Sequence, residues 1–188
     1  MRSVQNLGPG YREIYSVNLQ KNGRVAIFVN VLSLVIAAAM LALMNGIVPF
    51  STFWAQNNTL LKSLVLIGSL VAYLYLHELV HGVTMKACGT KKVHYGFTGL
   101  YAFAGSDDYY DKTSYIAIAL APIVVFLFVF AILNLLVPPD WFWVIYLLQV
   151  CNVSGAAGDI FVTVKFARMP KDILVKDTGI GMTVYSKE

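Results

Sequence analysis

Between Arg24 and Lys62 the chain carries no charged residue, and between Lys112 and Asp140 it again carries none. Uninterrupted apolar blocks of that length exclude most folds. A helix of a soluble protein needs a polar face, whereas about 20 consecutive apolar residues, coiled as a helix, match the hydrocarbon core of a bilayer. Four such spans are predicted, over about 25–48, 60–83, 115–137 and 141–164. Composition agrees: 58% of residues are hydrophobic and only 13% charged, against about 25% charged in an ordinary soluble domain. The expected fold class is therefore an all-α membrane protein with four transmembrane helices, its first partner the lipid bilayer.

Lysine and arginine set the expected orientation. Arg2, Arg12, Lys21 and Arg24 precede the first span. Lys86, Lys91, Lys92 and Lys112 lie between the second and third, and Lys165, Arg168, Lys171, Lys176 and Lys187 follow the fourth. The other two connections, PFSTFWAQNNT (49–59) and Pro138-Pro139-Asp140, carry none. The positive-inside rule then predicts a multi-pass cell-membrane protein whose termini and 84–114 connection are cytoplasmic. Three parts follow: an N-terminal arm (1–24), a four-span domain (25–164) and a C-terminal tail (165–188). Trp54, Trp141 and Trp143 fall at the outer boundary, where aromatic belts sit. The arm lacks the apolar core of a signal peptide. The formal net charge of +4 suggests no nucleic-acid partner, since the basic residues flank apolar blocks and form no stripe interleaved with aromatics. Cys88 and Cys151 are too few for a disulfide framework.

Within 84–114, VHYGFTGLYAFAG (93–105) reads as two short strands around Thr98-Gly99. The following SDDYYDK (106–112) reads as a solvated turn.

Ionisable groups inside spans are costly and mark function by default. Apart from Lys62 at an outer end, the predicted spans hold His77, Glu78, His81 and Asp159. The first three lie in YLHELVHG (75–82), an H-E-x-x-H arrangement. On a helix His77 and His81 share a face one turn apart, the spacing two imidazoles need to bind one Zn²⁺. Glu78 flanks them, placed to act as general base on a water activated by the metal. A catalytic zinc takes three protein ligands and keeps one position open. His94 and Asp159 compete for the third place. Span two enters near Leu60 and span four near Trp141, so at about 1.5 Å per residue His77 and Asp159 lie at similar depth, which favours Asp159. Asn152, Gly155, Ala156 and Asp159 fall on one face of a continuous helix. Small residues there permit close packing, and Asn152 is a candidate for substrate binding or support. Pro122 is expected to kink span three or free a carbonyl.

HELVHG in a transmembrane helix, then a β-like segment, then N-x-x-G-x-x-G-D in a later helix resembles the small bacterial membrane proteins grouped as “putative zincin peptidases”, which look like minimal relatives of the site-2 proteases. The resemblance covers most of 60–180, including FARMPKDILVKDTGIGM. It implies an integral-membrane zinc protease in which His77, His81 and Asp159 are zinc ligands and Glu78 is the catalytic glutamate. One departure stands out. Many site-2 proteases carry their aspartate as Asp-Gly after a proline, and this chain has Gly158-Asp159 with no such proline.

The expected activity is hydrolysis of peptide bonds in membrane-associated substrates, with Glu78 as base and then acid. A non-catalytic zinc-binding scaffold or permease-like protein is the alternative. The 93–105 segment is expected to hold unwound substrate by strand addition.

Overall fold

The computed structural model of the chain describes residues 3–18, 21–54, 58–99 and 101–187. Four helical regions are long and apolar enough to cross a membrane: Gly23–Asn45 (α1), Thr59–Ala87 (α3), Lys112–Leu136 (α4) and Pro139–Ala167. They sit within a few residues of the predicted spans. A short helix, Ser51–Trp54 (α2), follows α1.

The fourth region is not one helix. A 3₁₀ turn at Pro139–Trp141 leads into Phe142–Gly155 (α5), the chain leaves helical geometry at Ala156, and a new helix runs over Ala157–Ala167 (α6). The run SGAAG is the reason. Glycine inside a helix costs about 1 kcal/mol relative to alanine, and no large side chain is there to hold the turn together. The single face expected to carry Asn152 and Asp159 is thus interrupted, and Asp159 falls in the first turn of α6, where a negative charge meets the positive end of the helix dipole.

The all-α expectation needs a larger correction. Ser3–Val4 (β1), Tyr11–Asn18 (β2), Tyr109–Asp111 (β5), Leu174–Asp177 (β6) and Gly181–Lys187 (β7) form one antiparallel sheet in the order β1-β5-β6-β7-β2. Arm and tail pair directly, from Tyr11 opposite Lys187 to Asn18 opposite Gly181. The segment read as a solvated turn supplies β5, and Tyr110 within it is fully buried, its hydroxyl bonded to Thr90 Oγ1 at 2.7 Å and Ser106 Oγ at 2.6 Å. The hairpin expected over 93–105 is present as His94–Phe97 (β3) and Ala102–Gly105 (β4). Arg2, counted in the basic arm, lies outside the described residues.

The chain divides into two compact units. One comprises Met1–Phe28, Tyr75–Pro122 and Asp159–Glu188. Its core joins Met85, Tyr115, Ile118, Val162 and Phe166 on helices to Tyr110, Val175 and Val184 on strands. The other comprises Val29–Leu74 and Ile123–Gly158. Here Phe53, Trp143 and Val144 form a core with Phe50 against Trp143 edge to face, ring centroids 4.9 Å apart. Trp143 is therefore not a belt residue. It is 2% exposed, and its Nε1 donates to the Pro49 carbonyl at 3.3 Å. Trp54 does remain exposed. Lys62, also buried, faces Asp140 at 3.6 Å.

Candidate metal centre

Three ligand-bearing side chains converge within the first unit. His77 Nε2 lies 3.6 Å from Asp159 Oδ2 and His81 Nε2 lies 3.7 Å from Asp159 Oδ1. Ligand atoms of all three lie within 4.8 Å of one another. A plain hydrogen-bonded cluster would bring nitrogen and oxygen to about 2.7–3.2 Å. Four ligands about 2.0–2.1 Å from a tetrahedral zinc stand about 3.3 Å apart. The observed separations are too long for direct hydrogen bonds and leave room for an ion, and two imidazoles with one carboxylate are a donor set zinc accepts. The residues present therefore fit a Zn²⁺ ion with three protein ligands.

The ring of His81 is set by helix α4. In a helix each carbonyl accepts from the N–H four residues on, and Pro122 has no N–H to give to Ile118. His81 Nδ1 takes that place, 2.9 Å from the Ile118 oxygen. A carbonyl only accepts, so Nδ1 carries a proton, and Nε2, on the Asp159 side, is the atom that would be left to bind a metal. Of the two roles foreseen for Pro122, freeing a carbonyl is the one with a recipient.

Glu78 stands beside this group, within Coulombic reach of His81 and Asp159. The backbone N–H of Ala104, on β4, donates to its carboxylate. The β3–β4 hairpin thus lies against the same turn of α3 that carries the metal-ligand candidates.

His94 is elsewhere. It pairs with Asp107 Oδ2 at 3.4 Å on the surface, and Lys176 approaches the other oxygen of Asp107 at the same distance. Lys176 first, then His94, holds the Asp107 carboxyl below its usual range. Asn152 belongs to the second unit, fully buried. Its Nδ2 donates to the Ile123 carbonyl at 3.1 Å and its Oδ1 accepts from Tyr73 at 3.2 Å.

One acid had no role in the sequence. Asp177, at the end of β6, accepts from the Tyr115 hydroxyl at 2.6 Å and from the Gly179 N–H at 2.8 Å. Burial holds its carboxyl above the usual range. Nothing in LVKDTG marks that half-buried aspartate, because the sheet around it draws its strands from both ends of the sequence.

The sequence model of a family described as “Putative zincin peptidase” matches residues 70–174. This chain belongs to that family. The matched zincin-peptidase region contains His77, Glu78, His81 and Asp159 together with the hairpin. An “Uncharacterized 24.7 kDa protein in gap 5'region” of Pyrococcus woesei is 30% identical over 134 residues, 68% of this chain. The chain spans 57% of that relative's length. No solved structure matches the zincin-peptidase chain.

Proposed function

We propose that the protein is an integral-membrane zinc metallopeptidase that cleaves membrane-associated peptides. The observation that carries this is the convergence of His77 and His81 on α3 with Asp159 on α6, beside Glu78, in helical regions able to span a bilayer. Zinc held there would supply Lewis acidity, polarising a peptide carbonyl and making water more acidic. The chain's own part is proton handling. Glu78 takes a proton from the attacking water as its oxygen adds to the carbonyl carbon. It returns that proton to the departing nitrogen as the C–N bond breaks. The Ala104 N–H keeps the carboxylate aimed during both transfers.

Two further features support the reading. The β3–β4 pair is a two-stranded sheet among the described residues, and an extended substrate can add to a strand edge beside Glu78. A proline at Phe97 should then lower cleavage without changing zinc content. The arm, the 84–114 connection and the tail all contribute strands to one sheet, and these are the three segments richest in lysine and arginine. That sharing supports a cytoplasmic location for all three.

The test is Glu78→Gln in protein reconstituted into liposomes, with fluorogenic single-span peptides and fluorescein-labelled casein as probes. Zinc content should stay at the wild-type level while cleavage disappears. Cleavage that survives at the wild-type rate sinks the peptidase reading. A variant without function that retains zinc separates it from a scaffold, which needs the ligands but has no use for the glutamate.

A further inference from the structure

Gly82 closes the HELVHG run, and a Cβ placed on it would collide with the hydroxyl of Tyr95. The phenol oxygen therefore rests directly on α3. Glu78 and Gly82 are four residues apart and share a helix face, so Tyr95 covers the face that carries the candidate base. A second contact agrees. Tyr95 pairs with Ala104 across the hairpin, and it is the Ala104 N–H that reaches Glu78. One rung of the hairpin thus brings a backbone donor to the carboxylate and a phenol to the next turn. Tyr95 is 46% exposed, open to an arriving chain. Partial burial first, then Tyr75 and Glu78, holds its phenol above the usual range, so it keeps its proton.

We propose that Tyr95 is a catalytic residue of this site: its hydroxyl donates a hydrogen bond to the scissile carbonyl oxygen as that oxygen gains charge. The inference rests on the peptidase reading above. When the water oxygen bonds to the carbonyl carbon, the π pair moves onto the carbonyl oxygen and the water proton goes to Glu78. The phenol shares its hydrogen with the new oxyanion without transferring it. As the pair returns, the C–N bond breaks and the nitrogen takes the proton from Glu78. A donor aimed at an oxyanion contributes about 10²–10³ in kcat. Gly82 is then a requirement of the phenol. Alanine is the better helix former, but its Cβ would push the hydroxyl away.

The experiment compares wild type, Glu78→Gln, Tyr95→Phe, Gly82→Ala and the Tyr95→Phe/Gly82→Ala double variant, all zinc-loaded in liposomes. The probe is one of the fluorogenic peptides above. Tyr95→Phe should lower kcat about 10²-fold with KM within about twofold. It should keep zinc content and melting temperature, and bind a phosphinic analogue of the probe at least about tenfold more weakly. Gly82→Ala should match it, and the double variant should lose no more. Glu78-dependent cleavage that is unchanged in Tyr95→Phe overturns this inference alone. So does a rise in KM at constant kcat, which means uniform substrate binding. Absence of any Glu78-dependent cleavage in wild type overturns both readings.

Discussion

Two places in this molecule set imidazole beside carboxylate at nearly the same distance. At the surface His94 and Asp107 are 3.4 Å apart, with side chains 58% and 80% exposed. Beside α6, His77 and His81 approach Asp159 at 3.6 and 3.7 Å, with side chains 12%, 11% and 25% exposed. Distance does not separate the two sites. What differs is what else each group touches. His94 meets an aspartate that already has Lys176, so the charges balance in water and gain little from one another. At the inner site two imidazoles face one carboxylate, with Glu78 close by, where solvation is poor. Without a cation the cluster would be costly. His81 is further fixed by the carbonyl that Pro122 leaves open.

Removal of an inner ligand should have the largest effect. His81→Ala or Asp159→Ala is expected to reduce zinc from about one per chain to background, and His94→Ala to leave it unchanged. Metal analysis of the purified variants reads this directly. Zinc lost from His94→Ala but retained by Asp159→Ala would reverse the comparison. A smaller loss is expected from Pro122→Ala. The restored N–H reclaims the Ile118 oxygen, His81 loses its acceptor, and zinc affinity should fall about 10–100-fold, measured by chelator competition. A helix α4 that gains stability while zinc binding is unaltered would show that the bond to Ile118 does not orient the ring. The smallest effect belongs to the surface pair. Asp107→Asn should shift the melting temperature by less than about 2 °C. Because the carboxyl is held below its usual range, its contribution exists at neutral pH and is lost as pH falls through its folded value. The wild-type advantage should therefore vanish in acid, and also in high salt. A large shift that persists under both conditions would make this pair a structural lock.

The helices were legible because charge-free blocks of their length have few alternatives. The candidate ligands were legible for a related reason: histidine, glutamate and aspartate stand out against such blocks, and equal depth selects partners. The sheet was not legible. Its strands are short, and Tyr110 and Val175 become core only through pairing with segments far away in sequence. A depth count also assumes a straight helix, so the break at Ala156 was hidden. Trp143 was misplaced because aromatic residues near a span end are as ready to pack on one another as to face lipid. Tyr95 went unnoticed for lack of any pattern. Its relation to Glu78 depends on a glycine thirteen residues earlier in sequence.

The pairing of β2 with β7 also has a consequence for the order of assembly. During synthesis β2 emerges before any of the four spans, and its partner strand after all of them. At about 5–20 residues per second the early strand waits on the order of ten seconds or more with an open edge. A ribosome stalled ahead of Gly181 would therefore release a chain that owns every ligand candidate but lacks the strand that completes the sheet around Asp177.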